Sequence, residues 1–244
     1  MYQEQRLEAI MKLLETHDTL TTEQMIQQFQ VSRDTVRRDF AKLSNEGKVR
    51  RVHGGIMSLP KSNEIVSFNA RMNDFTAAKD HIAQLAEQFI QAQGTYFFDV
   101  STTVLKLAQI MKTKATIYTH SLDNAIMLSA DPNISLHLLG GQFFEKNRFF
   151  YSLNEAELLN HLQFDAAFIG AAGLKNGQIS FEDQADAYLK QLALKNAKQK
   201  ILLAENAKFA KESTYLIGNI ADFDYLLTDK KPTDEICSQI EVKY

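Results

Sequence analysis

Along the first sixty positions, apolar residues recur with the spacing of helices. Leu7, Ile10, Met11 and Leu14 stand at i, i+3, i+4 and i+7, one face of a helix over residues 3–15. Thr21-Thr22-Glu23-Gln24 places a Gln three residues after a Thr, a reciprocal start signal for a second, short helix that buries Met25, Ile26 and Phe29. Gln30-Val31 makes a tight turn. Ser32 is a good N-cap for a third helix over 32–46, in which Val36, Phe40 and Leu43 form the buried stripe and after which Gly47 closes the last turn. Lys48 to Ile56 then reads as a small hairpin, with Val49 pointing in, Arg50 pointing out and Gly54-Gly55 allowing positive φ at the turn. Three helices and a hairpin in this order predict a winged helix-turn-helix over residues 1–58.

The pattern stops at residues 57–75, which show no helical period and contain Pro60; a linker is expected over 59–75. Beyond it, strands and amphipathic helices alternate. Helix 76–92 carries Ile82, Leu85, Ala86 and Phe89, and strand 95–98 ends in Asp99. Helix 102–112, strand 115–118, helix 121–129 and strand 134–139 follow, the last ending in Gly140-Gly141. Helix 154–162 precedes strand 165–169, which ends in Gly170; helix 184–197 and strands 200–204 and 224–228 complete the series. Such alternation predicts an α/β domain over 76–244, with a mostly parallel sheet and helices on both faces.

Composition narrows the class. Of 244 residues, 45% are hydrophobic and 23% charged, which excludes extended disorder and collagen-like structure. The single cysteine, Cys237, cannot form an internal disulfide, and no Cys/His cluster has the makings of a zinc site. No apolar run approaches the roughly 20 residues of a membrane span, and the first residues lack a signal-peptide pattern. A cytoplasmic chain with no membrane partner, metal or cofactor is expected.

The net charge of −3 hides an asymmetry, because residues 31–61 hold eight basic residues and only three acidic ones. A short basic segment on an acidic body suggests contact with a polyanion; a solvated helix face is the plain alternative. Arg33 and Thr35 fall in the first turn of the third helix, where base edges are read, and Arg37 and Arg38 lie off its buried stripe. Double-stranded DNA is therefore the expected partner. The candidate contacts are Thr21, Thr22, Ser32, Arg33, Thr35, Arg37, Arg38, Arg50, Arg51, His53 and Gly54. A trihelical module that binds protein is the alternative. Asp39 is expected to pair with an arginine of the module.

A second set of candidates lies in the α/β domain. Gly140, Gly141, Gly170 and Gly173 are placed just past the carboxyl ends of strands, the edge at which open α/β sheets bind ligands. Ser101-Thr102-Thr103 follows a strand and opens a helix, the chemistry of an anion site. Lys79, Lys190 and Lys208 are the cations that would complete a phosphate pocket. For each glycine the alternative is turn chemistry, and for each lysine a solvated charge.

These residues also carry a resemblance. Val31 to Phe40 (VSRDTVRRDF) and Gly47 to Gly55 (GKVRRVHGG) resemble the DNA-binding signature of the DeoR family of bacterial transcription regulators. The resemblance continues through Phe98-Asp99-Val100-Ser101-Thr102-Thr103, Leu139-Gly140-Gly141, Asp165 to Gly173, Lys190, Lys208-Phe209 and Thr228-Asp229, which are similar to the family's effector domain. It implies a sugar-phosphate-isomerase-like fold and a repressor of carbohydrate metabolism that acts as a homo-oligomer, dimer or tetramer. It also implies a phosphorylated-sugar effector held by Asp99, Thr102, Thr103, the four glycines, Lys190 and Lys208. Departures from the family pattern are Ser101 for Gly, His120 for Asn, Asp186 for Glu, Glu205-Asn206-Ala207 before Lys208, and Tyr151-Ser152. With them two alternatives stand: a regulator whose pocket no longer senses, and a phosphosugar isomerase drawing its base from Asp99, Asp165, Asp183, Asp186 or His120.

Overall fold

The computed structural model describes residues 2–14, 17, 19–46, 48–52, 54–58 and 76–244. The expected helix-closing Gly47, the candidate His53 and the expected linker 59–75 lie outside the described residues. The chain divides into two compact units, Met1–Glu64 and Ile65–Tyr244.

In the first unit, α1 (Gln3–Leu14), β1 (Thr19–Thr21), α2 (Thr22–Phe29) and α3 (Arg33–Asn45) precede the hairpin strands β2 (Val49–Val52) and β3 (Gly55–Ser58). The predicted stripes converge: Leu7, Ile10, Leu14, Met25, Val36, Phe40 and Leu43 form one core with Leu20, Val49 and Ile56, while Met11, Ile26 and Phe29 pack at its margin. Strand β1 is an addition to the expected hairpin. It pairs with β3 to make a three-stranded antiparallel sheet, β1-β3-β2. The two glycines of the hairpin divide the work that the sequence assigns jointly to them. Gly54 alone has positive φ (81°). Gly55 is required because a Cβ there would collide with the Leu20 carbonyl oxygen on β1.

The second unit runs α4 (Ala77–Glu87), β4 (Thr95–Phe98), α5 (Thr102–Ile110), β5 (Ala115–Thr119), α6 (Leu122–Leu128) and β6 (Ile134–Leu138). A hairpin of β7 (Gln142–Phe144) and β8 (Phe149–Tyr151) leads into α7 (Leu153–Leu159) and β9 (Phe164–Gly170). Strands β10 (Gly173–Lys175) and β11 (Gln178–Phe181) precede α8 (Gln184–Lys195), β12 (Ala197–Leu203) and β13 (Tyr215–Asn219). β14 (Tyr225–Leu227), the short α9 (Asp234–Cys237) and β15 (Glu241–Lys243) end the chain.

Seven strands form a parallel sheet in the order β15-β14-β12-β9-β4-β5-β6. Its two faces are separated by the period-two alternation of side chains along a strand. Tyr96, Phe98, Ala166, Phe168, Ile201 and Leu203 pack with Ile82, Ala83 and Leu107 of α4 and α5. The intervening Phe97, Ala167, Ile169 and Leu202 pack with Leu189, Leu192 and Ala193 of α8 and with Leu159 of α7. Coverage of both faces is what a parallel sheet requires. The expected strands are all present. The antiparallel set β10-β11-β13 and the β7–β8 hairpin are additions, built from segments three to five residues long.

Phe40 is fully buried at the centre of the first unit. Phe40→Ala is expected to destabilise that unit by about 3–5 kcal/mol through the cavity it leaves. The check is urea unfolding followed by circular dichroism, with an early loss of the N-terminal transition.

Candidate functional site

In the first unit the two helix starts predicted from sequence orient the basic face. The Thr21 side chain accepts a hydrogen bond from the Gln24 N–H at 3.2 Å, and Gln24 Oε1 accepts from the Thr21 N–H at 2.8 Å. Ser32 caps α3, its Oγ accepting from the Thr35 N–H at 3.2 Å and meeting the Thr35 hydroxyl at 2.9 Å. The Thr22 N–H and hydroxyl both donate to the Gly54 carbonyl, at 2.8 and 3.0 Å, which fastens the hairpin tip to the start of α2. Thr21, Thr22, Ser32 and Thr35 thus shape the unit through internal bonds.

Arginines stand outside that framework. Arg37 and Arg38 are exposed and make no ion pair among the described residues. Arg33 is exposed and is held 2.6 Å from Glu23 of α2. Arg50 points outward, with its Nη2 3.5 Å from the Met57 sulfur. Arg51 follows the in–out alternation back to the inner face: its guanidinium lies over the Phe40 ring, 5.9 Å from the centroid, while its side chain stays exposed at the edge of the core. Asp39 faces inward as expected from sequence. Its carboxylate receives the Arg6 guanidinium at 2.8 and 3.3 Å and the Gln3 amide at 3.0 Å, joining α1 to α3. Arg6 was not among the residues singled out from sequence. The signal for it was its place one turn before Ile10 on the buried stripe.

In the second unit a buried polar cluster sits at the carboxyl edge of the parallel sheet. Asp99 follows β4, His120 follows β5, and Asp186 and Lys190 lie one turn apart on α8. Lys190 Nζ is 2.7 Å from Asp186 Oδ2 and 3.1 Å from Asp99 Oδ1, and 3.5 Å from the centre of the Phe181 ring. Asp186 Oδ1 is 2.8 Å from His120 Nε2, and Asp99 Oδ2 accepts the Gly170 N–H at 2.9 Å. His120 is wedged between Phe97, stacked at 5.6 Å, and the edge of Phe149 at 5.7 Å. Its Nδ1 has no hydrogen-bond partner among the described residues, so Nε2 is the ring nitrogen that engages the protein, at Asp186.

The two carboxylates are pushed apart in acidity. Burial raises the Asp99 pKa above the ordinary carboxylate value, and Lys190 only partly offsets it. Burial acts in the same sense on Asp186, but the Lys190 charge and the His120 hydrogen bond outweigh it and hold that pKa below the ordinary value. Asp99, His120 and Asp186 bring ligand atoms within 4.8 Å of one another, a spacing a metal ion could use. The donor set does not suit one, because the Lys190 ammonium already stands against both carboxylates as their cation.

The other predicted residues divide. Ser101 caps α5 with its own hydroxyl, accepting from the Thr103 and Val104 N–H groups at 3.2 and 3.5 Å. The helix start expected to bind an anion therefore has part of its donors taken by the chain itself. Thr102 and Thr103 are buried in that turn. The Gly170 N–H, expected to face a ligand, is bonded to Asp99, and a Cβ at Gly170 would collide with the Ser101 side chain. Gly173 stands three residues past the end of β9 and opens β10, packed against Ser180 and Lys211. Gly140 and Gly141 form the turn after β6, where Gly141 has φ of 118° and packs on the Tyr151 carbonyl. Lys79 is buried 3.7 Å from Glu205, and Lys208 is half-buried in the short helical turn Asn206–Lys208 after β12. Beside Lys190 the open space, walled by Gly170, Phe181 and Glu182 among others, is about 10 Å3, close to the volume of one water.

Asp186, named from sequence as a departure from the family pattern and a candidate base, was absent from the expected effector set; its i,i+4 spacing from Lys190 was the signal that joins it to the cluster. Because its folded pKa is depressed, its contribution to stability is present above the ordinary carboxylate pKa and is lost as pH falls through the folded value. The stability gap between the native chain and Asp186→Asn is expected to be widest near neutrality and to shrink in acid, measured by urea unfolding across that range.

Comparison with known proteins follows the same two units. Residues 6–62 match the family model described as the DeoR-like helix-turn-helix domain, and residues 74–230 the DeoR C-terminal sensor domain. The HTH-type transcriptional repressor GlcR of Bacillus subtilis is 34% identical over 242 residues, covering 99% of this chain and 94% of that protein. The lactose phosphotransferase system repressor of Staphylococcus epidermidis is 29% identical, covering 97% of each. Among solved structures, ribose 5-phosphate isomerase A of Methanocaldococcus jannaschii is 12% identical with a TM-score of 0.40, over 59% of this chain and 56% of that one.

Proposed function

The chain belongs to the DeoR family and is a DNA-binding repressor of sugar metabolism; from that premise we propose how it reads DNA and what it senses. Residues 1–58 carry operator binding and residues 76–244 carry sensing, in a cytoplasmic homo-oligomer whose two-fold symmetry matches a palindromic operator. The observation that supports this best is the exposed arginine face of the Ser32-capped helix α3, with Arg50 beside it on the hairpin. Ser32, Arg33, Thr35, Arg37 and Arg38 on α3 are the contacts to base edges or phosphates, and Arg50, Arg51 and His53 are those of the hairpin.

The effector is a phosphorylated sugar. Lys208, in the short turn after β12, is the cation we assign to its phosphate, the role that the family resemblance implies for it. Asp99, Lys190 and Asp186 respond to it as one network. Operator affinity changes only by as much as the ligand prefers one arrangement of the oligomer over another. No turnover is part of this reading: the buried carboxylates are paired to Lys190, with space for about one water beside them. That same tightness favours a second reading, in which the pocket holds no ligand and expression level or a protein partner sets DNA binding.

Arg37→Ala and Arg38→Ala are each expected to weaken operator binding by about 1–3 kcal/mol where a base edge is read. A contact to phosphate alone would weaken all sequences alike and lower the salt slope by about one. Electrophoretic titration against operator and scrambled duplexes separates these outcomes, and unchanged affinity in both variants removes the helix from the interface. For the effector, a sugar phosphate at 100 times its Kd is expected to stabilise the fold by about 2.7 kcal/mol in a thermal-shift screen. Lys208→Ala should abolish that shift and leave operator binding in place. No shift across a sugar-phosphate panel would establish the second reading.

A further inference from the structure

The second unit has another concavity, about 700 Å3 in volume and open to solvent, that the reading above does not use. It lies between the first turns of α8, the β7–β8 hairpin and the start of β13. Small-molecule sites typically span about 300–1,000 Å3. Phe144, Tyr151, Tyr188 and Tyr215 supply its rings, and Asp183 and Gln184 its polar groups. Among the described residues, no lysine, arginine or histidine lines it.

We propose that this cavity is a binding site for an uncharged sugar or polyol, separate from the cluster around Lys190. Charge decides the class of ligand. A phosphate placed here would meet the Asp183 carboxylate with no cation in the lining to bind it directly. A neutral polyhydroxyl ring meets what it needs: flat aromatic faces for its C–H surface, and phenol, amide and carboxylate groups for its hydroxyls. The hydroxyls of Tyr151, Tyr188 and Tyr215 have no hydrogen-bond partner among the described residues. Tyr188 and Tyr215 remain 40% and 36% exposed, a large aromatic surface left in water. Capacity points the same way, since the space beside Lys190 is about 10 Å3.

The two sites share α8. Gln184 and Tyr188 occupy the side of that helix facing the cavity, while Asp186 and Lys190 occupy the opposite side and pair inward. A sugar that tightens the first turns of α8 thus bears on the Lys190 network through one rigid element.

The test is saturation-transfer NMR on the full chain with D-glucose, D-galactose, D-ribose and a hexitol at millimolar concentration. Tyrosine emission is followed in parallel, free of tryptophan, with three of the chain's eight tyrosines in the cavity and the Tyr188→Ala difference isolating the contribution of that ring. At least one uncharged sugar should give saturation transfer and change the emission. Tyr188→Ala should weaken it about tenfold with an unchanged melting temperature, and Tyr188→Phe should weaken it less. The sugar-phosphate shift is the separate readout of the earlier reading, and Tyr188→Ala should leave it intact. The proposal fails if no uncharged sugar gives a signal, or if Tyr188→Ala binds as the native chain does. It also fails if Tyr188→Ala and Leu216→Ser lower the sedimentation mass without any sugar binding, which would assign the face to a second copy of the chain.

Discussion

An ammonium removed from water must be met by negative charge, and Lys190 organises the carboxyl edge of the parallel sheet through that requirement. It is 1% exposed and stands against both Asp186 and Asp99. Asp99 is in turn fixed by the Gly170 N–H, and Asp186 by His120. One charge thereby ties α8 to the ends of β4, β5 and β9. Removing any partner would leave an uncompensated buried charge, so the four groups behave as a unit. The first unit repeats the logic on a smaller scale. Arg6 and Asp39 lock α1 to α3 and so orient the helix whose other side carries Arg37 and Arg38.

The distinction between paired and unpaired cations separates structure from function across the chain. Arg6, Lys79 and Lys190 are buried against carboxylates and hold elements together. Arg37 and Arg38 are exposed without ion pairs among the described residues, which leaves their charge available to a polyanion. The pairing of Arg33 with Glu23 is between two exposed groups and costs little to break.

The departures from the family pattern acquire physical meaning in the sensor unit. Ser101 occupies the start of α5 with its own hydroxyl and covers Gly170. His120 fills the gap between Phe97 and Phe149 and neutralises part of the demand of Asp186. Both changes draw polar capacity inward, to bonds within the chain. The aromatic cavity on the other side of α8 keeps its polar groups and rings turned to solvent. Two surfaces of one helix thus offer contrasting chemistry: a closed interior of paired charges and an open concavity with no cation in its lining among the described residues.

Periodicity alone determined much of this protein. The i, i+3, i+4 spacing of Leu7, Ile10 and Leu14, the caps at Thr21 and Ser32, and the strand–helix alternation after residue 76 are local signals, and local hydrogen bonding realises them with little help. The basic character of α3 was equally legible, because charges that fall off a buried stripe must face solvent. Tertiary structure alone decided which polar residues meet. Asp99 and Lys190 are 91 positions apart, and only the parallel order β9-β4-β5 with α8 packed on one face brings them together. The small strands β7, β8, β10, β11 and β13 were invisible for a related reason: three to five residues carry too little periodicity, and their pairing is set by what they lie against. The open cavity follows from the same cause, since Tyr151, Tyr188 and Tyr215 share no spacing in the chain and become neighbours only when three separate elements close around α8.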